Sequence, residues 1–319
     1  MRILLTGSSG WLGRHLAPRL RAAGYAVTGL DVAPGADTDA IGSVADRAFV
    51  EWAFAEHGID AVIHAGGLHQ PDIARCPSQA FVDVNIAGTL NLLEAAVTHG
   101  AGRFVFTSTT SLMISTAIRE GRGDAAVWID ENLAPLEPRN IYGVTKLTAE
   151  NFCRLWRHNH GLPVVILRTS RFFPEGDDTH RILSGENMKA NEILHRRLTV
   201  EDAADAHVHA LERAPEIGFD IFLLSAPTPF TRDEILELKA DAPAVIARHF
   251  SDAGALYAER GWTLPASIDR VYDSGHAERV LGYRCRTDFA AVLATLRRGV
   301  APPFEHAPGY VSPILRPAI

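Results

Sequence analysis

The chain begins with Arg2-Ile3-Leu4-Leu5-Thr6-Gly7-Ser8-Ser9-Gly10-Trp11-Leu12-Gly13, an apolar run that leads into three glycines spaced three residues apart. The apolar run predicts a buried strand, and residues 12–23 have the period of an amphipathic helix. Positions without side chains at such a turn let backbone N–H groups and the helix N-terminus approach a pyrophosphate. The stretch therefore predicts a dinucleotide site, and a tight turn that uses glycines only for packing is the alternative interpretation.

Alternating strand and helix patterns continue through the first half of the chain. Strands are predicted at 26–31, 61–65 and 103–108, and a long helix is predicted at 80–99. Such alternation is typical of a parallel sheet with helices on both faces. The continuous apolar runs at 61–63 and 104–106 fit strands that are buried on both sides. We predict an α/β fold of the Rossmann type, a doubly wound parallel sheet.

The second half has a looser pattern. Strands are predicted at 164–167 and 219–224, and helices at 201–213 and 232–239. We expect a Rossmann domain over 1–170 and a smaller C-terminal substrate-binding lobe over 171–319, interleaved with the last elements of the sheet. Prolines disfavour regular structure in the tail, so an extended strap or a partly mobile segment is expected there. They are Pro302, Pro303, Pro308, Pro313 and Pro317.

Composition narrows the class of partner. The 319 residues are 47% hydrophobic and carry a formal net charge of -7. This acidic balance argues against a nucleic-acid or anionic-membrane surface, because such surfaces need Lys and Arg in excess. The N-terminus has neither a signal-peptide nor a membrane-span pattern, and three distant cysteines fit a reducing compartment. We expect a cytoplasmic protein that acts on a small molecule, without a nucleic-acid or membrane partner.

Tyr142 and Lys146 lie four residues apart in a segment with helical period. Residues at this spacing share one helix face, so a phenol and an ammonium would meet in one small volume. A nearby cation favours the phenolate, and we expect Lys146 to lower the phenol pKa toward useful acid/base behaviour at neutral pH. The pair alone also fits a solvated helix, whereas beside a dinucleotide turn it indicates proton transfer.

Asp31 ends the second predicted strand, where a carboxylate can accept both ribose hydroxyl hydrogens of an adenosine. Neither Val32 nor Ala33 supplies a cation for a 2′-phosphate. The sequence therefore favours NAD over NADP as the cofactor.

Taken in order, these motifs resemble those of the extended short-chain dehydrogenase/reductases of the NAD-dependent epimerase/dehydratase family. The resemblance extends from residue 1 to about 225, and more loosely through 270–273 and 278–283. Its further landmarks are residues 62–67, 84–95, 104–109 and 199–207. The resemblance implies a homodimer formed through the helix that carries Tyr142 and the helix before the fifth strand. Helix-to-sheet packing would use the same apolar positions, Leu147, Phe152, Leu155 and Trp156.

The resemblance also implies a set of cofactor contacts. Gly7, Gly10, Trp11, Leu12 and Gly13 would lie against the pyrophosphate, Asp31 on the ribose, and Ser43 and Val44 beside the adenine, although the family usually has Asp where Ser43 stands. Ala65, Gly66 and Gly67 would pass beneath the cofactor, and Thr107, Tyr142, Lys146 and Thr169 would complete the site. For Asn85, packing within a helix and direct support of the cofactor both remain open.

Thr109 aligns with the catalytic Ser or Thr of the family, which makes Thr109, Tyr142 and Lys146 the implied catalytic residues. A substrate hydroxyl between Thr109 and Tyr142 would lose its proton to the phenolate while its carbon gives hydride to the nicotinamide. Lys146 would hold the ribose. We expect the substrate contacts to be His69, Thr110 and Arg171.

Two features depart from the family pattern. Arg171 stands where relatives that bind nucleotide sugars often have Asn. Its guanidinium is either a two-pronged contact for a carboxylate or phosphate or an ion-pair partner of Asp177 or Asp178. The long segment between Thr109 and Tyr142 is either a substrate lid or a surface insertion.

No metal is expected, since the histidine pairs lack ligand spacing. We expect NAD-dependent hydride transfer at a secondary alcohol of a sugar or sugar-derived substrate. A nucleotide-sugar 4-epimerase, which would reduce its keto intermediate again on the other face, is the alternative. A further alternative is a sensor that binds a dinucleotide without catalysis. Such a sensor would have no need for Thr109, Tyr142 and Lys146 together.

Overall fold

The computed structural model describes residues 1–175 and 183–312. Within these ranges the strands are β1 (Arg2–Thr6), β2 (Ala26–Asp31), β3 (Ala40–Ile41), β4 (Ala61–His64), β5 (Phe104–Thr109), β6 (Val127–Ile129), β7 (Val164–Thr169), β8 (Phe219–Leu224) and β9 (Arg270–Tyr272). The α-helices are α1 (Gly13–Ala22), α2 (Arg47–His57), α3 (Ser78–Phe81), α4 (Gly88–Thr98), α5 (Thr116–Arg119), α6 (Ile141–His160), α7 (Gly185–Ile193), α8 (Val200–Ile217), α9 (Ile235–Ala240), α10 (Ala242–His249), α11 (Ala253–Glu259) and α12 (Phe289–Arg297). Short 3₁₀ segments are Gln70–Ala74, Thr110–Met113 and Arg232–Glu234, and π-helical turns are Val82–Ala87 and Ala277–Leu281.

The main sheet is parallel and has the strand order β3-β2-β1-β4-β5-β7-β8. Apolar side chains leave both of its faces, one toward α1 and α8 and the other toward α2, α4 and α6. The strand order reverses between β1 and β4, and ligands of such sheets bind at the carboxyl ends of the strands beside this reversal. The predicted Rossmann-type sheet is confirmed.

Helix α6 is fixed at both ends by its sequence. The side chain of Asn140 caps its start by accepting a hydrogen bond from the backbone N–H of Gly143. Gly161 ends it with a φ of 70°, a left-handed conformation that favours glycine. Tyr142 and Lys146 therefore lie in the first two turns of a stable helix that packs on the sheet, as their spacing predicts.

The segment between Thr109 and Tyr142 is more ordered than the sequence suggested. It contains the 3₁₀ segment Thr110–Met113, helix α5 and strand β6. Strand β6 pairs in parallel with β9, with Val127 opposite Arg270. This pairing joins the segment to the C-terminal lobe.

The C-terminal lobe has its own apolar core, formed mainly by α7 and α9–α12. Helix α8 and strand β8, which come earlier in the second half, belong to the sheet. The division at residue 170 into a Rossmann domain and an interleaved C-terminal lobe stays a proposal. Of the tail, Tyr310 lies with its ring 5.0 Å from that of Trp11, and Pro313 and Pro317 lie outside the described residues.

Among the described residues, the helical stretch Ser78–Thr98 is long and apolar enough to cross a membrane by length and composition. Half of it is buried inside the fold. Apolar residues of α4 within this stretch pack in the same core cluster as α2 and α6, which is ordinary for a core helix.

Candidate active site

A cavity of about 1000 Å³ runs along the carboxyl ends of the main-sheet strands. It extends from the glycine turn, past the start of α6, to the C-terminal lobe. Every site residue that the sequence predicts lines it: Gly7, Gly10, Trp11, Leu12, Gly13, Asp31, Ser43, Val44, Ala65, Gly66, Gly67, His69, Thr107, Thr109, Thr110, Tyr142, Lys146, Thr169 and Arg171. The fold therefore brings together residues that are spread over more than half of the chain.

The glycine turn between β1 and α1 serves both packing and binding. A Cβ on Gly7 would lie 2.7 Å from the backbone N of Gly66, and one on Gly13 would lie 2.1 Å from the carbonyl oxygen of Gly7. These glycines are needed for close backbone contact within the protein. The backbone N–H groups of Trp11 and Leu12 have no hydrogen-bond partner among the described residues, so they are available to an anion at the start of α1.

Asp31 is held at the end of β2 by backbone groups. Its Oδ2 accepts a hydrogen bond from the Ser9 N–H and its Oδ1 one from the Ala33 N–H, each at 3.0 Å. Burial raises the pKa of Asp31, and these hydrogen bonds act against the rise. Asn91, which the sequence did not single out, donates its side-chain N–H to the carbonyl of Val44 at 2.9 Å and so fixes the loop at this end of the cavity.

The side chains of Thr109 and Tyr142 line the same cavity, and the Thr109 hydroxyl is near enough to the phenol to act on its pKa. The Thr109 hydroxyl also accepts a hydrogen bond from the Ser111 N–H at 3.1 Å. Burial raises the pKa of Tyr142 to about 12, and the nearby Thr109 hydroxyl opposes this rise. The expected lowering of the phenol pKa is therefore wrong for the pocket that the protein side chains form.

The position of the Lys146 ammonium accounts for its small effect on the pKa of the Tyr142 phenol. Its Nζ lies 4.1 Å from the ring centroid of Phe106, a cation–π contact. Burial lowers the pKa of Lys146 to about 8, because the protonated, charged form of the side chain is less favourable in the interior than in water. Lys146 lines the cavity from α6.

A buried ion pair lies beneath Lys146. Glu150, one turn further along α6, binds Arg168 of β7 with an Nη2–Oε2 distance of 2.7 Å. Ser108 of β5 donates its hydroxyl to the same carboxylate at 2.6 Å. The side chains of Arg168 and Glu150 are only 4% and 3% exposed. This arrangement, which the sequence did not reveal, ties helix α6 to strands β5 and β7, which end at the cavity.

Thr107 and Thr169 are bound to the protein rather than left open for the cofactor. The Thr107 hydroxyl lies 2.8 Å from His207 Nε2 on α8, and the Thr169 hydroxyl donates to the carbonyl of Ser108 at 3.0 Å. Burial lowers the pKa of His207 to about 4, so the imidazole is neutral at ordinary pH. A cofactor role for either threonine stays a proposal.

Asn85 supports a loop. Its side chain donates to the carbonyl of Leu68 and to the Thr145 hydroxyl, and accepts from the Leu68 N–H. A Cβ on Gly67 would lie 2.9 Å from the side-chain Oδ1 of Asn85. These contacts describe a polar packing group, which is one of the two interpretations that the sequence left open. By binding Leu68, the Asn85 side chain positions the loop that carries His69.

The predicted substrate residues line the far part of the cavity. The His69 ring stacks on Phe173 with 5.0 Å between centroids, and burial lowers the His69 pKa. Thr110 begins a 3₁₀ segment directly after β5. Arg171 forms a backbone bridge with Arg197. Its predicted partners Asp177 and Asp178 lie outside the described residues.

Basic residues near Arg171 pair inside the protein. The Glu192 carboxylate lies 3.0 Å from Arg196 and 2.9 Å from Arg197. Although burial alone would raise the pKa of Glu192, these two arginines and then Arg171 lower it to about 2. The local excess of basic residues is therefore partly neutralised.

Within 1–175 and 183–312, no three His, Cys, Asp or Glu side chains come together as metal ligands. The expectation that no metal is bound stays a prediction. The three cysteines are all free thiols.

Comparisons with known proteins identify relatives of this chain. The sequence model of the NAD dependent epimerase/dehydratase family matches residues 3–221. GDP-6-deoxy-D-mannose reductase of Pseudomonas aeruginosa is 28% identical over 86% of this chain and 90% of its own length. UDP-glucose 4-epimerase of Rhizobium meliloti is 29% identical over 91% of this chain and 94% of its own. A short-chain dehydrogenase/reductase superfamily protein of Agrobacterium tumefaciens, solved with bound NAD, has a TM-score of 0.65 at 24% identity, covering 94% of this chain and 98% of that one.

Proposed function

The chain belongs to the NAD dependent epimerase/dehydratase family and is an NAD-dependent enzyme, and we propose that it transfers hydride at a secondary alcohol of a sugar or sugar-derived substrate. The observation that carries this proposal is the meeting of Thr109, Tyr142 and Lys146 at one cavity. A site that only bound a dinucleotide would have no need for a buried phenol, a hydroxyl and a buried ammonium together on one cavity.

The residues at the cavity fit NAD. The N–H groups of Trp11 and Leu12 can receive a pyrophosphate, and Asp31 presents a carboxylate where a ribose diol would lie. Val32 and Ala33 provide no cation for a 2′-phosphate. When bound, NAD supplies a hydride acceptor and the positive charge of the nicotinamide ring.

Tyr142 holds and moves the proton in the proposed reaction. Because burial raises its pKa to about 12, the phenol stays protonated in the pocket of protein side chains and is ready to act as an acid toward a keto oxygen. Positive charge that enters the pocket favours the phenolate, and in that state Tyr142 accepts the proton of a substrate hydroxyl. Thr109 orients the reacting oxygen by hydrogen bonding.

A panel of sugars, sugar acids, sugar phosphates and nucleotide sugars, each incubated with enzyme and NAD, tests the proposed function. We expect stoichiometric NADH with at least one member of the panel. Failure of every member to give either NADH or a new isomer would contradict hydride transfer on this substrate class.

A nucleotide-sugar 4-epimerase is the second candidate. It is supported by the R. meliloti epimerase, which resembles this chain over nearly its whole length. In the same panel an epimerase converts a nucleotide sugar into its isomer without net NADH, because the hydride returns to the substrate.

We also propose a cytoplasmic homodimer formed through α4 and α6. Leu155 of α6 is 44% exposed, as an interface position would be in a free subunit. Phe152 and Trp156 are partly buried against the sheet core and Leu147 against a neighbouring cluster, so packing already uses these three. Light scattering that gives a monomer mass at micromolar concentration would contradict the dimer.

A further inference from the structure

The C-terminal tail runs from the lobe to the glycine turn. After α12, residues 299–312 contain neither helix nor strand. Phe304 packs against the apolar core of the lobe, whereas Tyr310 packs against the core between the main sheet, α1 and α8. Residues 302–312, called the C-terminal strap from here on, therefore cross from the lobe to the sheet.

A buried lysine of the lobe anchors the middle of the C-terminal strap. Lys189 of α7 is 0% exposed. Its ammonium donates to the carbonyl oxygen of Glu305 at 3.2 Å and lies 3.0 Å from His306 Nδ1. The same ammonium donates to the carbonyl oxygen of Pro174, which also accepts a hydrogen bond from the Ala307 N–H at 2.8 Å. These polar contacts fix the strap to α7 and to the loop that follows β7.

The end of the C-terminal strap lies on the glycine turn. The Tyr310 ring meets the Trp11 ring edge-on, with 5.0 Å between their centroids. The Arg14 guanidinium lies 4.4 Å from the centroid of Trp11 and 5.3 Å from that of Tyr310. Edge-to-face aromatic pairs and cation–π contacts are both attractive. The three side chains form one cluster, which joins the strap to the turn and to the start of α1.

This cluster stands beside the cofactor part of the cavity. Residues 310–312 line the cavity, as do residues 10–13 of the glycine turn. Trp11, on whose ring Tyr310 packs, also carries one of the two backbone N–H groups that are available to an anion. The strap is therefore a wall of the cavity at the end where the pyrophosphate of the cofactor would bind.

The C-terminal strap is held by few backbone hydrogen bonds. Within it, the N–H groups that donate to backbone carbonyls of the described residues are those of Ala307 and Tyr310, and the second of these bonds stays inside the strap. Segments with few backbone hydrogen bonds and few buried apolar contacts open at a lower free energy than the core of a protein. The strap can therefore detach while the sheet and the lobe stay folded.

We propose that the C-terminal strap is part of the cofactor site and retains bound NAD, with Tyr310 on the glycine turn while the cofactor is held and detached from it when the cofactor leaves. The inference goes beyond the proposed function, because it concerns the cofactor and holds equally for a dehydrogenase and an epimerase. Since Lys189 anchors the strap, retention of the cofactor depends on a residue of the lobe that does not line the cavity.

The rate at which NADH leaves the enzyme tests this role without any substrate. NADH is bound to the full-length protein and displaced by excess NAD in a stopped-flow instrument, and the loss of its fluorescence gives the dissociation rate. Tyr310→Ala removes the ring contacts with Trp11 and Arg14, and it should raise this rate by about tenfold or more. Tyr310→Phe is the matched control; it keeps the ring, and its rate should stay within about threefold of the wild-type rate.

Lys189→Met tests the anchor. The variant loses the hydrogen bond to the Glu305 carbonyl and the contact with His306, so NADH should leave it faster than it leaves the wild type, although the cavity lining is unchanged. Thermal melts of the variants, run alongside, separate retention from simple bracing. A midpoint that falls in Tyr310→Ala while NADH leaves within about twofold of the wild-type rate would overturn the proposal and make the strap a structural brace only.

Hydrogen exchange of the wild type supplies an independent readout. The N–H groups of Ala307 and Tyr310 are hydrogen-bonded only while the strap is in place. Saturating NAD should slow exchange in a peptide that spans residues 302–312 by about fivefold or more, because the bound cofactor and the closed strap favour each other. Exchange at the same rate with and without NAD would overturn the proposal. Neither experiment uses a sugar, so failure of the proposed hydride transfer would leave both results unaffected.

Discussion

Replacement of Glu150 by Gln would break the buried ion pair beneath Lys146 while keeping the shape of the side chain. The carboxylate now accepts hydrogen bonds from Arg168 Nη2 at 2.7 Å and Nε at 3.1 Å, and from the Ser108 hydroxyl at 2.6 Å. An amide at this position has no charge and can accept through only one of its two atoms. The Arg168 guanidinium would then be left buried without a counter-charge.

The size of the effect follows from the burial of both side chains, which are 4% and 3% exposed. Removal of one partner from such a pair typically costs about 3 to 5 kcal/mol. The entropy of unfolding of a chain this long corresponds to a shift of ~1.5 °C per kcal/mol. We therefore expect the thermal midpoint of Glu150→Gln to fall by about 4 to 8 °C.

Calorimetric melts of the wild type, Glu150→Gln and the double variant Glu150→Met/Arg168→Met measure this effect. The double variant should recover most of the lost stability, because an apolar pair of similar volume leaves no buried charge unmatched. A midpoint for Glu150→Gln within about 1 °C of the wild type, or a double variant less stable than the single one, would refute the reasoning.

Two further predictions concern the lysine and the glycine turn. Burial lowers the Lys146 pKa from 10.5 to about 8, so between these pH values the unfolded chain binds a proton that the folded chain has lost. The free energy of unfolding of the wild type should therefore rise relative to that of Lys146→Met by up to ~3 kcal/mol across this pH window. Urea melts of both proteins measure this difference, and parallel curves of unfolding free energy against pH would contradict the prediction. A Cβ on Gly13 would lie 2.1 Å from the carbonyl oxygen of Gly7, whereas a Cβ on Gly10 would lie 3.2 Å from that oxygen. Gly13→Ala should therefore weaken NAD binding at least tenfold more than Gly10→Ala does, as measured by NADH fluorescence titration. Equal affinities of the two variants would show that the turn adapts to the added methyl group.

The strands of the sheet could be predicted because each is marked by a residue pattern within a short stretch of the sequence. Continuous apolar runs at β4 and β5 are what strands buried on both faces require, and the spacing of Tyr142 and Lys146 fixes their common helix face whatever surrounds them. The glycine turn and Asp31 could be placed for the same reason, since each sits at the end of a predicted strand.

Contacts between distant segments could not be read from the sequence. The pairing of Val127 with Arg270 joins residues from the two halves of the chain, and no local pattern marks its register. The phenol pKa is a similar case, because it depends on burial that spacing does not report, and the expected effect of Lys146 is small where its ammonium lies over Phe106.

The most direct test of hydride transfer assisted by Tyr142 is a paired measurement on Tyr142→Phe. This variant removes only the hydroxyl that holds the proton and leaves the glycine turn and Asp31 untouched. We predict an unchanged Kd for NAD together with a fall in kcat of about 10² to 10⁴-fold on the substrate that the wild type turns over. Turnover by Tyr142→Phe at the wild-type rate, with NAD bound equally well, would contradict the role of Tyr142 as the acid/base group.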